Sequence, residues 1–298
     1  MLRYEKIGLL LTGLPADETA LGFAGAFAQL ASCQQLLCVY AEGIMQDQPD
    51  ETPDAAQVEH WVIERLPEPV RPLVELKVLH GSADTELLRI GRDAGLDLLI
   101  KGRPLPSSQT AAGAKLTRLA RKAPCTVLVV PCQVRPHHSR LLVPVDFSEH
   151  SKMAVETALE IARASAGIDG QPQVLVQTIF SVGYGYTKAG VDFHEAARNI
   201  ETATRGELDK FLAGLDTSGV EFQAVCTCSE QTPEAVHDLA AVRKMDMIVV
   251  GSRGLSRSAA AILGSTAERI LTASPLPVLI VKRKGETVHL LDALLGGG

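Results

Sequence analysis

The stretch Met245-Asp-Met-Ile-Val-Val-Gly-Ser-Arg-Gly254 runs from a short apolar segment directly into a loop that holds two glycines. An apolar run bounded by turn residues is typical of a strand that is buried on both faces of a sheet. The same pattern occurs in the first half of the chain, as Leu96-Asp-Leu-Leu-Ile100. We interpret the pair as one structural unit that the chain carries twice.

Each copy belongs to a series in which apolar strands alternate with helical patterns. The first half predicts strands at residues 7–11, 36–40, 73–79, 98–101 and 126–130, and the second half predicts them at 140–146, 174–179, 222–226, 247–250 and 277–281. Helices are predicted at 194–212, from Thr232 onward with Thr232 as its cap, and at 265–273. Strands that alternate with helices form parallel sheets covered on both faces. We therefore predict two tandem α/β domains, each a five-stranded parallel sheet sandwiched by helices.

The join between the halves falls in the polar, proline-containing segment at residues 132–139. The predicted domains are 1–133 and 139–284, followed by a C-terminal tail at 285–298. A chain of 298 residues suits this division, because domains commonly hold roughly 150 residues.

Composition excludes several classes of protein. A hydrophobic share of 46% excludes intrinsic disorder, and an aromatic share of 4% argues against a stacking platform for nucleic acid. A net charge of −6 argues against binding to DNA or to an anionic membrane, since both need a basic surface. Six cysteines without a secretory leader predict free thiols and a cytoplasmic location.

The loop after the strand at 247–250 has the composition of a phosphate-binding site. Its candidate contacts are Gly251, Arg253, Gly254, Arg257, Gly264, Ser265 and Thr266. Glycines let backbone amides approach a ligand closely, and the ends of parallel strands are where such folds bind ligands. The last three residues open a helix, whose free amides and positive dipole end suit an anion. We predict a polyphosphate cradle built from two backbone segments.

The spacing G-x2-G-x9-G-[S/T] resembles the nucleotide-binding signature of the universal stress protein family, in its ATP-binding branch. Pro144-Val145-Asp146 is similar to the end of the family's first strand, where the Asp meets the nucleoside. Ile179 lies where the family sets an apolar residue and its backbone against adenine. The resemblance implies a Rossmann-like fold of the adenine-nucleotide α-hydrolase-like type, with ATP as ligand and Mg²⁺ accompanying the nucleotide.

The first half keeps the outline of this site and lacks its donors. Gly102 and Gly113 correspond to Gly251 and Gly264. The positions of Asp146, Gly254, Ser265 and Thr266 are held by Thr12, Leu105, Ala114 and Lys115. Two prolines, at 104 and 106, each remove an amide donor from the loop. We therefore expect one nucleotide site per chain, in the second half.

No catalytic constellation emerges, because one candidate carboxylate lacks the base and metal ligands of an efficient phosphoryl-transfer site. The sequence favours a stress-response protein that binds ATP in its C-terminal domain and acts as a nucleotide-dependent regulatory module. The N-terminal domain is then structural or regulatory. Two alternatives stay open: a slow ATP hydrolase or autophosphorylating enzyme, and a nucleotide-free scaffold. We also expect the fifth strands of the two halves to pair within the chain, and the chain to form a homodimer.

Overall fold

The computed structural model describes residues 2, 4–42, 54–80, 83–103, 111–168, 170–183, 192–254 and 263–284. Contacts divide the chain into two compact units, one of Met1–Pro136 with Leu271–Gly298 and one of His137–Ile270. The predicted tail at 285–298 lies outside the described residues. Within those residues, no helix has the length and apolar character needed to cross a membrane.

The first unit is a parallel sheet covered by helices. Its strands are β1 (Lys6–Leu11), β2 (Gln35–Glu42), β3 (Val74–His80), β4 (Leu98–Arg103) and β5 (Thr126–Pro131). Its helices are α1 (Ala16–Leu30), α2 (Ala55–Arg65), α3 (Ala83–Asp93) and α4 (Ala111–Lys122). The strand order is β3-β2-β1-β4-β5, and every neighbouring pair in it is parallel. Residues 7–11 of β1 and all six residues of β5 are buried, as expected for strands of a parallel sheet covered on both faces.

The second unit repeats this arrangement. Its strands are β6 (Arg140–Val145), β7 (Gln173–Phe180), β8 (Glu221–Cys228) and β9 (Met247–Gly251), in the order β9-β6-β7-β8. Its helices are α5 (Glu149–Ala164), α6 (Phe193–Leu212), α7 (Thr232–Val242) and the first part of α8 (Ser265–Ala273). The strand order reverses between β6 and β9, and such a reversal opens a crevice at the carboxyl ends of the strands.

The last strand, β10 (Val278–Val281), groups with the first unit. It pairs antiparallel with β5, with Val278 opposite Val129 and Ile280 opposite Val127. The expected pairing of the two fifth strands is thus observed.

Matching registers fix which residues of the two units correspond. Ile7 lies opposite Leu98 in the first unit, and Leu141 lies opposite Met247 in the second. Counting along the chain from these pairs, the corresponding positions are Thr12 and Asp146, Gly13 and Phe147, Leu14 and Ser148, Asp17 and Ser151, Lys101 and Val250, and Gly102 and Gly251. The predicted fold class is confirmed, and each predicted strand has a counterpart in the structure.

Candidate functional site

A cavity of about 430 Å³ lies in the second unit at the carboxyl ends of β6, β7 and β9. The structure brings all ten predicted site residues to its wall: Pro144, Val145, Asp146, Ile179, Gly251, Arg253, Gly254, Gly264, Ser265 and Thr266. Arg257 lies outside the described residues. The grouping is an observation, and the role of these residues in binding stays a prediction.

Sequence reasoning missed several wall residues, of which Ser151, Thr178 and Thr232 are polar. The prediction that Thr232 caps its helix is wrong, because Gln231 holds the N-cap position and Thr232 is the first helical residue. Thr178 could have been found from its place beside Ile179 at the end of β7. No signal in the sequence marks Ser151 as part of a cavity.

Asp146 lies between the end of β6 and the loop that follows β9. Its Oδ1 accepts a hydrogen bond from the backbone N–H of Ser148 at 3.1 Å. Its Oδ2 lies 2.5 Å from the point where a Cβ on Gly254 would stand. The absence of a Cβ at Gly254 therefore lets the Asp146 carboxylate lie against the loop. This role is separate from the access that a glycine gives to a ligand.

The turn after Asp146 has an unusual backbone. Phe147 has a φ of 65°, in the left-handed region that bulky residues rarely adopt. Its ring contacts the ring of Phe211 edge-on, with centroids 5.6 Å apart. The counterpart in the first unit is Gly13, which has a φ of 74°. Both units thus make the same turn, which in the second unit carries a strain of about 1 kcal/mol because the residue is not glycine.

Gly251 has a second role that the sequence did not indicate. A Cβ on Gly251 would lie 2.6 Å from the carbonyl carbon of His150, at the start of α5. A Cβ on Gly102 would lie 2.7 Å from the carbonyl carbon of Ala16, at the start of α1. Because both units need glycine here for helix-to-strand packing, Gly251 is not by itself a mark of ligand binding.

Another part of the cavity wall is the start of α8. The N–H of Gly264 donates to the carbonyl of Ser252 at 2.9 Å, which holds the two ends of the loop together. The first amides of a helix have no intrahelical acceptor and carry partial positive charge. Since Ser265, Thr266 and Ala267 all line the cavity, this wall can donate to an anion.

Two further helices begin at the cavity, because Ser151 in the first turn of α5 and Thr232 at the start of α7 also line it. Arg253 adds a full positive charge to the wall. Among the described wall residues, Asp146 is the one carboxylate. The electrostatic balance therefore favours an anionic ligand, with one acceptor for a hydroxyl or amino group.

The corresponding corner of the first unit is filled by its own side chains. Asp17 is 3% exposed and accepts hydrogen bonds from the N–H of Thr12 at 2.6 Å, the N–H of Leu14 at 3.2 Å and the hydroxyl of Thr12 at 3.3 Å. Burial raises the pKa of Asp17, against the lowering effect of these hydrogen bonds and of the charge on Lys101. Here a charged Lys101 stands where Val250 lines the cavity of the second unit. Pro104 and Pro106, which are predicted to remove donors from the loop of the first unit, lie outside the described residues, as does Leu105.

In the described part of the chain, no group of three His, Cys, Asp or Glu side chains is arranged to hold a metal ion. All six cysteines are thiols. Burial raises the pKa of Cys38 and of Cys125 to about 12, so both stay protonated at neutral pH.

A Mg²⁺ ion at the cavity would find Asp146 and the hydroxyls of Ser265 and Thr266 as ligands. It would take its other ligands from phosphate and water.

Both halves of the chain match one family model, and two curated relatives each match about half of the chain. A model of the universal stress protein family matches residues 3–131 and 137–282. A universal stress protein of Thermus aquaticus is 28% identical over 144 residues, covering 48% of this chain and 97% of that protein. A universal stress protein of Methanocaldococcus jannaschii is 25% identical over 157 residues, covering 49% of this chain and 96% of that protein.

Solved structures match the chain from end to end. A functionally unknown protein of Pseudomonas aeruginosa PAO1 has a TM-score of 0.67 at 17% identity, covering 99% of this chain and 98% of that one. A universal stress protein of Archaeoglobus fulgidus has a TM-score of 0.59 at 17% identity, covering 93% and 96%. At this identity the likeness shows the fold alone. The family match extends over both halves, and the chain therefore belongs to the universal stress protein family as a member with two tandem domains.

Proposed function

We propose that the second unit binds ATP, and that the protein acts as a nucleotide-dependent regulatory module of the stress response. The observation that carries the proposal is the cavity wall formed by Gly254, Gly264 and the start of α8, with Asp146 beside Gly254 in the lining of the same cavity. The first unit, whose corner is filled by Asp17, has a structural or regulatory role.

The triphosphate would bind at the start of α8. Backbone amides and the hydroxyls of Ser265 and Thr266 supply neutral donors there, and Arg253 supplies a charge. Hydrogen bonds to a charged acceptor are stronger than neutral ones, contributing about 1.5–3 kcal/mol each. Affinity should therefore rise with the number of phosphates.

The nucleoside would bind between Asp146 and the end of β7. Asp146 is an acceptor for a ribose hydroxyl or an amino group, and Thr178 adds a hydroxyl. Ile179 and Val145 give this part of the cavity an apolar surface suited to a base. The carboxylate also repels phosphate, which fixes the orientation of the ligand along the cavity.

Mg²⁺ bound with the nucleotide would neutralise phosphate charge, and Asp146 is the carboxylate that could contact its shell. Efficient hydrolysis would need a positioned base together with further carboxylates for the metal. The described wall offers Asp146 alone, so we propose binding without efficient turnover. The proposal includes a cytoplasmic location, in keeping with the free thiols, and a homodimer that would use a surface other than the edges of β5 and β10, which pair with each other within the chain.

The test is calorimetric titration of the full chain with ATP, ADP, AMP, cyclic AMP and adenosine, with and without Mg²⁺. We expect affinity to fall in the order ATP, ADP, AMP, because each lost phosphate removes contacts to α8. Equal affinity for ATP and adenosine would contradict the assignment of α8, and absence of binding would favour a scaffold. Steady-state ATP turnover that Asp146→Ala abolishes while binding survives would make the protein an enzyme.

A further inference from the structure

Ser148 does not line the cavity, yet it is bonded to residues of two of its walls. The side chain is buried, and its Oγ accepts from the N–H of Ser151 at 3.2 Å, which caps α5. The same Oγ donates to the carbonyl oxygen of Arg253 at 3.4 Å. The N–H of Ser148 donates to Asp146 at 3.1 Å.

The bond to Arg253 fixes the direction of one peptide group in the loop. The peptide that joins Arg253 to Gly254 is planar and trans, so its C=O and N–H point in opposite directions. With the oxygen directed at Ser148, the N–H of Gly254 is directed away from the β6–α5 turn. The nitrogen of Gly254 lies 3.7 Å from the point where a Cβ on Gly264 would stand, so this donor lies beside the start of α8.

The first unit lacks this connection. Leu14 holds the position of Ser148 and has no hydroxyl to donate. Its N–H donates to Asp17 at 3.2 Å, so the turn is bonded to its own helix. The hydroxyl at residue 148 is thus a feature of the unit that has the cavity.

We propose that Ser148 is a positioning residue for the phosphate-binding loop: its hydroxyl orients the Arg253–Gly254 peptide so that the Gly254 N–H can donate to a phosphate. This inference rests on the proposed function and deepens it. It predicts a selective effect, because the Gly254 N–H would donate to a phosphate and adenosine carries none.

The test compares Ser148→Gly, Ser148→Thr and Asp192→Gly in the full chain by titration with ATP and with adenosine. Glycine is a tolerated N-cap, so Ser148→Gly should leave α5 nearly as stable as serine does. The Ser148→Thr variant keeps a hydroxyl at this position. Asp192 caps α6 by accepting from the N–H of His194 at 3.2 Å, so Asp192→Gly removes a comparable cap away from the cavity.

We expect Ser148→Gly to weaken ATP binding about three- to tenfold, the effect of one hydrogen bond. Adenosine affinity should stay unchanged, and Ser148→Thr and Asp192→Gly should bind ATP like the unmodified chain. Unchanged ATP affinity in Ser148→Gly would overturn the inference while leaving the proposed function in place. An equal loss for ATP and adenosine would also overturn it, since that is the result of a general structural role. An unmodified chain that binds no ATP would overturn the proposed function, and this inference with it.

Discussion

The corner between the first strand and the first helix is built in both units, with the carboxylate in different places. In the first unit Asp17 extends back from α1 and accepts hydrogen bonds from the N–H groups of Thr12 and Leu14. In the second unit the carboxylate is Asp146, at the end of β6, and a serine stands at the helix position. The first arrangement satisfies the turn internally, whereas the second directs the carboxylate toward the loop of Gly254.

The comparison shows that the two units share the backbone of this corner and differ in the side chains placed on it. The turn keeps its left-handed residue in both units, as Gly13 and as Phe147. Glycine also stays at residues 102 and 251, where the strand approaches the helix. The proposed binding chemistry is assigned to other positions, at which the two units differ.

The largest expected effects are on stability and should be alike in the two units. Gly102→Ala and Gly251→Ala would each place a methyl group against helix backbone, and overpacking of this kind costs about 3 kcal/mol. Urea unfolding of each variant measures the loss. Gly206→Ala is the matched control, since a Cβ there meets nothing within 4 Å and alanine favours α6. A much smaller loss of stability in Gly251→Ala than in Gly102→Ala would show that the two corners are not packed in the same way.

Asp17→Ala should destabilise the protein by about 2 kcal/mol, because it leaves the buried N–H of Thr12 and the partly buried N–H of Leu14 without an acceptor. Asp17→Asn is the matched variant. Its oxygen can accept both bonds, and its amide can donate to the hydroxyl of Thr12. Thermal unfolding should therefore place Asp17→Asn at or above the unmodified chain and Asp17→Ala well below it. Equal losses in both variants would mean that the ionised carboxylate itself stabilises the corner.

Comparing the unmodified chain with Asp17→Asn also predicts the sign of a pH dependence of the free energy of unfolding. Because the pKa of Asp17 is raised in the folded state, the ionised form is disfavoured there. The contribution of Asp17 to stability is most favourable below its pKa in the unfolded state. This contribution is lost as the pH rises through the pKa of Asp17 in the folded state. The stability difference between Asp17→Asn and the unmodified chain should thus grow from acid to neutral pH. A stability difference that stays constant from acid to neutral pH would contradict a raised pKa of Asp17.

Sequence patterns predicted most of the fold and the membership of the cavity. Apolar runs located every strand, and the glycine spacing located the loop, because both follow from local requirements of burial and turn geometry. The role of Asp17 could not be predicted, since an acidic residue in a first helical turn usually faces solvent or favours the helix dipole. The packing role of Gly251 was also hidden, because its nearest neighbour, His150, is about a hundred residues away in the chain.

Gly254→Ala should separate binding from folding in the second unit. The new methyl group would displace the carboxylate of Asp146, which can rotate, so stability should change little. ATP affinity should fall about tenfold or more, because one corner of the cavity is disrupted. Gly264→Ala is the comparison, since its nearest neighbour would be 3.7 Å away and the expected loss is smaller. Titration should therefore give a lower ATP affinity for Gly254→Ala than for Gly264→Ala. Equal ATP affinities would mean that the contact between Asp146 and Gly254 does not matter for ATP binding.

The number of ATP molecules bound per chain tests the central claim most directly. Equilibrium dialysis of the full chain with labelled ATP at saturation should give one site per chain, which Asp146→Ala weakens and Asp17→Asn leaves unchanged. Two equivalent sites per chain, or one site that responds to residue 17 and not to residue 146, would contradict the account.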